Sequence, residues 1–314
     1  MTCAPRCLLA LLLLAGCGGE PEPLRAPPAK PPSGEFTTLS YNVAGLPQEF
    51  SKVRPRENIP RISPLLAGYD IVLTQEDFDW WRPGLDKFDF AHYHERLRAE
   101  TGHPWASARH PGPEAVGLHA PTQRPTLMVG DGLGLLSRFP FDELRRVPWK
   151  TFGESAADGL AMKGFAMARV ELAAGAGVDV YTLHADAGGA PADDAARRAG
   201  FEQLAAWMEA HSAGRAVILG GDTNLHTHPG SDDANIWAAF LARTGLEDVC
   251  DALESSDRAC IDKFAFRSGA GVELRPLSGT FEVRKFRDAE GRPLSDHDAL
   301  AVKWRWTGRV DPPR

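Results

Sequence analysis

Three features of the sequence predict a layered α/β domain. Apolar segments with strand-like patterns are interspersed with amphipathic helices through most of the 314 residues. Neither an internal repeat nor a second linker interrupts this pattern after residue 36. Several of the predicted strands end in polar residues, and in layered α/β domains such strand ends collect around one cleft. The pattern therefore predicts both a fold class and a functional site.

Residues 1–16 have the pattern of a bacterial export signal. One basic residue precedes the apolar run LLALLLLA, which is too short to span a bilayer. The following letters LAGC resemble a lipobox, so we expect an exported cell-envelope lipoprotein that carries lipid on Cys17. An ordinary signal peptide that ends near a cysteine is the alternative. The proline-rich residues 17–35 predict an extended tether between the membrane and the domain.

The composition is that of a soluble globular domain, with 25% charged residues and a formal net charge of −7. This acidic balance weighs against tight nucleic-acid binding. After the export signal and its boundary, two cysteines remain, Cys250 and Cys260. In an exported domain they predict a disulfide bond, with two separately buried thiols as the alternative.

The elements indicate one domain over residues 36–306, followed by a tail of residues 307–314. In its first half we predict a strand at 35–46, a short helix at 61–69, a buried strand at 70–77 and strands at 132–141, 165–172 and 178–186. In its second half we predict helices at 192–212 and 235–244 and strands at 215–222, 260–268, 271–278 and 298–306. The first of these two helices is expected to present Ala195, Ala199, Leu204 and Trp207 near one face.

The polar residues at the strand ends have the chemistry of metal-assisted phosphodiester hydrolysis. They are Asn42, Glu76, His184, Asp222, Asn224, Asp262, Asp296 and His297. Carboxylate and amide oxygens bind hard divalent cations, and a histidine beside a carboxylate transfers protons near neutral pH. Each residue alone also has a plain structural explanation, such as a turn cap or a solvated strand end. The ordered set favours a catalytic cleft.

The motifs LSYNVAGLP, QED, DGLGLLSRFPF, LHADAG, GGDTN, IDKF and SDHDAL occur in this order. Together they resemble the endonuclease/exonuclease/phosphatase superfamily, whose deoxyribonuclease-like fold would cover nearly the whole chain after the tether. The resemblance implies a four-layered α/β sandwich with two packed, mainly antiparallel sheets flanked by helices. It also implies a metal site at Asn42, Glu76 and Asp296 for Mg²⁺, with Mn²⁺, Co²⁺ and Ca²⁺ as alternatives.

The same resemblance implies the catalytic roles of the remaining residues. His184 would contact the phosphate, while Asp222 and Asn224 would orient the nucleophile and the phosphate. His297 would move the proton, aligned by Asp262.

Within the superfamily, GLAMKGFAMARVEL is most similar to the bacterial sphingomyelinase and phospholipase C-like branch. This implies that Lys163 binds the substrate phosphate, with a surface lysine at a strand start as the alternative. We therefore expect a monomeric hydrolase of phospholipid headgroups, with a nuclease and a catalytically inactive envelope binding module as alternatives. The branch's long hairpin with paired exposed aromatics is not evident in the sequence. Trp80 and Trp81 could contact a membrane instead, although buried packing explains them equally well.

Overall fold

The computed structural model describes residues 31–49, 51–78, 92–117, 129–154, 158–255 and 260–308. The predictions for Cys17, Trp80 and Trp81, for the export signal and for most of the tether lie outside these ranges. Within the ranges, every helix is too short or too polar to cross a membrane.

Strands dominate the described chain, and most of the helices pack on the outside of the sheets. The strands are β1 (Ser33–Asn42), β2 (Ile71–Gln75), β3 (Trp105–Ala106), β4 (Gly134–Ser137), β5 (Arg145–Pro148), β6 (Gly164–Ala173), β7 (Ala176–His184), β8 (Val217–Asp222), β9 (Glu247–Asp248), β10 (Asp262–Arg267), β11 (Val272–Phe281) and β12 (Leu300–Gly308). The α-helices are α1 (Pro55–Leu66), α2 (Tyr93–Arg98), α3 (Pro191–His211), α4 (Asp232–Thr244) and α5 (Val249–Ala252). Short 3₁₀ helices span Glu114–Val116 and Asp158–Leu160.

Two six-stranded sheets form the centre of the described structure. The first has the order β11-β12-β1-β2-β4-β3, and the second has the order β5-β6-β7-β8-β10-β9. Each sheet contains one parallel pair, β1 with β2 and β7 with β8, and the remaining pairs are antiparallel. The prediction of two mainly antiparallel sheets is confirmed.

Apolar side chains from both sheets fill the space between them. Trp304 of the first sheet meets Phe264 of the second edge to face, with ring centroids 6.4 Å apart. Helices α3 and α4 cover the outer face of the second sheet through residues such as Phe201 and Trp237. Helices α1 and α2 cover the first sheet in the same way. Each fully buried apolar side chain contributes about 1.5–3 kcal/mol, so these contacts hold four layers together.

The structure corrects two details of the sequence predictions. Residues 33–35, assigned to the tether, and residues 307–308, assigned to the tail, belong to β1 and β12, because Ser33 pairs with Thr307. The buried face of α3 is also different, since Ala195 is exposed whereas Phe201 and Met208 are buried. Alanine and arginine fill the first half of this helix, and the bulky apolar residues of its second half decide which face is buried.

Candidate active site

Strand register brings the polar strand ends together. In the second sheet, Asp222 pairs with His184 of β7 on one side and with Asp262 of β10 on the other. In the first sheet, Asn42 ends β1 beside Gln75 at the end of β2. The carboxyl ends of both parallel pairs meet, because Asn42 Nδ2 donates a hydrogen bond to Asp222 Oδ2 across the two sheets at 3.0 Å. The cleft predicted from the strand ends therefore lies at the interface of the two sheets.

Gly220 allows the two sheets to approach below this cleft, because a Cβ atom there would lie 2.8 Å from Leu73 Cδ1 of the first sheet, and Gly221 allows β8 to lie close to β7. A Cβ atom on Gly220 would lie 2.4 Å from the ring of Phe264, and one on Gly221 would lie 2.3 Å from the Leu183 carbonyl oxygen. Both distances are shorter than van der Waals contact, so no larger residue fits without displacing the strands. The paired glycines of GGDTN thus serve close packing.

Asn42 holds two carboxylates of the site near each other. Its Nδ2 donates to Glu76 Oε1 at 3.1 Å as well as to Asp222. Its Oδ1 accepts a hydrogen bond from the Ala44 amide at 3.0 Å, which fixes the orientation of the side chain. Asn42 is 1% exposed, so this arrangement is shielded from water.

Backbone strain concentrates at the same strand ends. Ala44, Glu76 and Asn224 have φ angles of 50°, 53° and 48°, in the left-handed region that residues other than glycine rarely adopt. Such conformations cost about 1–3 kcal/mol each and persist where surrounding contacts enforce them. Glu76 and Asn224 are thereby turned out of their strand directions toward the cleft.

Lys163 directly precedes β6 and is buried, so it is not a surface lysine. Its Nζ donates to the Ala185 carbonyl at 3.3 Å, and its charge acts on both Glu76 and His184. Burial raises the pKa of Glu76, and the Lys163 ammonium and the Asn42 amide counteract only part of this effect. Lys163 therefore lies in the cleft, and its role in substrate binding stays a prediction.

His184 is held as a neutral imidazole. Burial, then the positive charge of Lys163, then that of His297 lower its pKa well below the ordinary value. Its Nε2 lies 3.3 Å from Asp222 Oδ2, and its buried Nδ1 has no hydrogen-bond partner among the described residues. The indole of Trp149 donates to the His184 carbonyl at 2.8 Å and helps fix the strand end.

His297 and Asp262 form a close pair. His297 Nδ1 lies 2.8 Å from Asp262 Oδ2, while His297 Nε2 faces Asp222 Oδ2 at 3.7 Å. Burial alone would lower the pKa of His297, but the hydrogen bond to Asp262 and the charges of Asp262, Asp222 and Asp296 outweigh burial and raise it. The contacts of His297 therefore favour its protonated form.

Asn224 makes hydrogen bonds both to Asp222 and to the backbone at Ala185. Its amide N–H donates to Asp222 Oδ1 at 3.0 Å, and its side-chain Nδ2 donates to the Ala185 carbonyl at 2.9 Å. The first bond leaves Asp222 Oδ2 directed at Asn42 and the two histidines. Asn224 thereby orients Asp222.

The donor set fits a hard divalent cation. Asp222, Asp262 and His297 each offer a ligand atom, and these three atoms lie within 4.8 Å of one another. Glu76 also interacts with the charges of Asp222 and Asp296. The carboxylate oxygens of Asp222 and Asp262, with the negative charges of Glu76 and Asp296 nearby, suit Mg²⁺ or a similar ion.

Sequence reasoning missed one supporting residue of the cleft. Ser295 Oγ donates to the Asn42 carbonyl at 2.7 Å and accepts a hydrogen bond from the His297 amide at 3.2 Å. It fastens the segment before β12 onto the end of β1, which fixes His297 opposite Asp222. The sequence contained a signal for this residue, because Ser295 is the first residue of the SDH triplet.

The described structure thus brings the predicted residues of the strand ends together at the junction of the sheets, and the exposed Asp296 lies beside His297 in the wall of an open cavity. Their catalytic and metal-binding roles stay predictions.

The prediction of a disulfide is wrong, because no bond joins Cys250 and Cys260. Cys250 lies in the first turn of α5, and Cys260 precedes β10 in the wall of a cavity. The charge of Lys263 acts on both sulfur groups, which are half-buried as separate thiols.

The profile of the Endonuclease/Exonuclease/phosphatase family matches residues 39–297. A sphingomyelinase of Mycobacterium tuberculosis (strain ATCC 25618 / H37Rv) is 32% identical over 297 residues, which cover 87% of this chain and 53% of the relative. The chain therefore spans about half the length of the curated relatives that it matches. A sphingomyelinase of Mycobacterium bovis (strain ATCC BAA-935 / AF2122/97) gives the same values.

Solved structures share the fold at lower identity. Sphingomyelinase C from Streptomyces griseocarneus superposes with a TM-score of 0.59 at 19% identity, covering 86% of this chain and 99% of that one. A mutant of beta toxin from Staphylococcus aureus with bound magnesium ions gives 0.58 at 15% identity, with coverages of 86% and 99%. D. rerio TDP2 complexed with a single-strand DNA product gives 0.59 at 16% identity, with coverages of 86% and 98%.

Proposed function

The chain belongs to the Endonuclease/Exonuclease/phosphatase family, and from this membership we propose that it is a divalent-metal-dependent hydrolase of phosphodiester bonds. One observation carries the proposal. A single carboxylate oxygen, Asp222 Oδ2, lies 3.0 Å from Asn42 Nδ2, 3.3 Å from His184 Nε2 and 3.7 Å from His297 Nε2. Asn42 from the proposed metal side and two histidines thus converge on one oxygen that can accept a hydrogen bond from water.

Asn42, Glu76 and Asp296 would hold the cation, with Asp222 facing them from the other sheet. A bound divalent cation would neutralise phosphate charge and polarise the P–O bond. The neighbouring carboxylates supply the oxygen donors that such an ion prefers, and Asn42 would add its Oδ1, which in the described structure accepts a hydrogen bond from the Ala44 amide. We propose Mg²⁺ as the physiological ion.

The protein's own groups supply orientation and proton transfer. Asp222 accepts a hydrogen bond from the attacking water, and Asn224 fixes that carboxylate in place. His297 takes up or releases a proton at Nε2, while Asp262 holds its Nδ1. His184 remains neutral and directs Nε2 toward the reacting phosphate, since its lowered pKa prevents it from competing for the proton.

Lys163 would offset the charge that develops on the phosphate. Its ammonium is buried beside Glu76 and His184, where a positive charge acts more strongly than it would in water.

We propose a phospholipid headgroup diester, sphingomyelin or phosphatidylcholine, as the substrate. Two observations support lipid: the 32% identity to proteins named sphingomyelinase and the acidic net charge of −7, which would repel a polyanion. The lipid anchor proposed at Cys17 would also keep a monomeric, exported domain close to its substrate.

A nuclease is the second candidate, because TDP2 with a single-strand DNA product superposes as well as sphingomyelinase C does. An inactive binding module is less well supported, since a decayed enzyme would be expected to lack a residue that this cleft retains.

Side-by-side turnover separates these functions. The purified chain is incubated with Mg²⁺ and sphingomyelin micelles, phosphatidylcholine micelles or plasmid DNA, with and without EDTA. We expect phosphocholine release that EDTA abolishes and that Asp222→Ala lacks, whereas the exposed control Glu209→Gln retains it. Nicked plasmid without phosphocholine release would support the nuclease, and no turnover of any substrate would support the binding module.

Labelled palmitate tests the anchor. The chain with Cys17 should take up the label in a bacterial envelope, and Cys17→Ser should not. Equal labelling of both proteins would contradict a lipid anchor at this residue.

A further inference from the structure

A second group of metal-ligating side chains lies at the mouth of the catalytic cleft. An open cavity of about 730 Å³ is lined by His226, His228, Cys260 and Asp298 and extends to Asp262 and His297. The mechanism above uses Asp262 and His297 and assigns no role to the other four.

The loop after β8 presents His226 and His228 side by side. Their rings are nearly parallel, with an interplanar angle of 7° and centroids 6.3 Å apart. Thr227 lies between them in sequence and points the other way, because its Oγ1 accepts a hydrogen bond from Lys263 Nζ at 2.9 Å. Both imidazoles therefore face the same cavity.

Backbone contacts hold this loop. The His226 amide donates to Asp233 Oδ2 at 2.9 Å, and the His228 amide donates to the His226 carbonyl at 2.7 Å. Ser231, the N-cap of α4, donates from its hydroxyl to the His228 carbonyl at 2.8 Å. The backbone positions of the two histidines are thus set before any ligand binds, which reduces the entropy cost of binding.

The two side chains have no structural task that explains them. Both residues are exposed, so neither fills the core. Among the described residues, each ring contacts the other, and no hydrogen bond from a side chain engages their nitrogens. The ring nitrogens are thus available to a ligand in the cavity.

The donor chemistry differs from that of the catalytic cluster. Imidazole and thiol groups favour Zn²⁺, Co²⁺ and related ions, whereas the cluster around Asn42 and Glu76 offers oxygen atoms that suit Mg²⁺. Cys260 supplies a thiol on the wall of the same cavity, and the charge of Lys263 acts on its sulfur. We propose that His226, His228 and Cys260 bind a transition-metal ion, with Zn²⁺ as the expected occupant.

The ligand atoms of His226, His228 and Cys260 do not all lie within 4.8 Å of one another in the described structure, so binding requires these side chains to close on the ion. Zinc lies about 2.0–2.1 Å from each imidazole nitrogen that it binds, so the two rings would close slightly from their present separation. Both are exposed and can rotate at little cost. Water or the nearby Asp298 carboxylate could complete the coordination.

Calorimetric titration with Zn²⁺ in excess Mg²⁺ tests the site without measuring turnover. The excess Mg²⁺ competes with Zn²⁺ for the oxygen cluster, and the double histidine variant distinguishes the two sites. We expect one Zn²⁺ per chain and a loss of affinity in the double variant His226→Gln, His228→Gln. Removal of residues outside a metal's coordination shell already costs about 10–100-fold in affinity, so loss of two ligands should cost at least this much. His211→Gln, which changes an exposed histidine at the end of α3, should bind as the unmodified chain does.

Co²⁺ serves as the spectroscopic probe for the thiol. The Co²⁺-loaded chain should show a sulfur-to-metal charge-transfer band that Cys260→Ser removes, and the His211→Gln control should retain it. Circular dichroism would verify that each variant is folded. Absence of Zn²⁺ binding, unchanged affinity in the folded double histidine variant, or a charge-transfer band that survives in Cys260→Ser would each overturn the proposal.

Discussion

Asp222 and His297 face each other across the junction of the two sheets, with Oδ2 and Nε2 3.7 Å apart. Asp222 ends β8 of the second sheet, whereas His297 lies just before β12 of the first. Their separation is controlled by sheet packing and by the Ser295 hydroxyl, which fastens the His297 segment to Asn42. The catalytic geometry thus depends on the same contacts that join the layers.

His297→Ala should reduce kcat by about 10²–10⁴-fold, the usual cost of losing a group that transfers a proton. Asp262→Asn should cost less, because the amide oxygen can still accept a hydrogen bond from Nδ1 although the charge is lost. Steady-state kinetics with saturating Mg²⁺ measure both effects, and circular dichroism verifies the fold. A His297→Ala protein with near-normal kcat would rule out this role.

Glu76→Gln should raise the Mg²⁺ concentration that gives half-maximal turnover by roughly tenfold or more. The amide keeps the shape of the side chain and an acceptor for Asn42, but it removes a negative charge from the proposed metal site. A Mg²⁺ titration of turnover measures the effect. Glu247→Gln, at the far edge of the second sheet, is the control and should leave the curve unchanged. Equal Mg²⁺ titration curves for the unmodified chain, Glu76→Gln and Glu247→Gln would exclude Glu76 as a metal ligand.

Arg98→Met should destabilise the fold by about 3–5 kcal/mol, because it leaves a buried carboxylate without its cation. Asp77 is 3% exposed, and its Oδ2 lies 2.6 Å from Arg98 Nη1. Burial would raise the pKa of Asp77, but the charges of Arg98 and His94 outweigh burial and lower it. Urea unfolding measures the loss.

Arg243→Met is the matched control for this change. The Arg243–Glu209 pair has a similar geometry but is exposed, so its removal should have little effect. Equal losses in both variants would show that burial does not distinguish the two pairs. Since Asp77 directly follows Glu76, Arg98→Met should also raise the Mg²⁺ requirement of the proposed reaction.

The cleft could be predicted from the sequence because strand ends are local signals. Asn42, Glu76, His184, Asp222 and Asp262 each follow or begin an apolar run, and such residues meet when neighbouring strands share a register. The resemblance to a family supplied the four layers and the segment that carries His297. Neither the strand-end pattern nor the family resemblance requires knowledge of a side-chain contact.

Features that depend on tertiary contacts could not be predicted. The buried face of α3 was misassigned because alanines carry a weak periodic signal, whereas Phe201 and Met208 fix the orientation only by packing on the sheet. A disulfide between Cys250 and Cys260 was inferred from cell compartment alone, which says nothing of how the side chains are directed. The burial of Lys163 depends on how β6 packs beside β7, and its local sequence does not reveal this.

The stability of the chain should fall on acidification in part because of His103. Burial lowers the pKa of His103, an effect that the hydrogen bond of Nε2 to the Tyr69 carbonyl at 2.8 Å only partly offsets. The nearby charges of Arg138 and Asp70 have opposite and smaller effects. The folded protein therefore keeps His103 neutral at a pH where the unfolded chain, with a histidine pKa of about 6.5, takes up a proton.

Since the unfolded state binds more protons in this range, the free energy of unfolding decreases as the pH falls below about 6.5. His103→Gln removes the titration and keeps an N–H that can donate to the Tyr69 carbonyl. When the pH is lowered from neutral to about 5, we expect the urea midpoint of the variant to fall less than that of the unmodified chain. His211→Gln, which changes an exposed histidine, should follow the unmodified chain. If acidification lowers the stability of His103→Gln as much as that of the unmodified chain and of His211→Gln, the acid sensitivity comes from other groups.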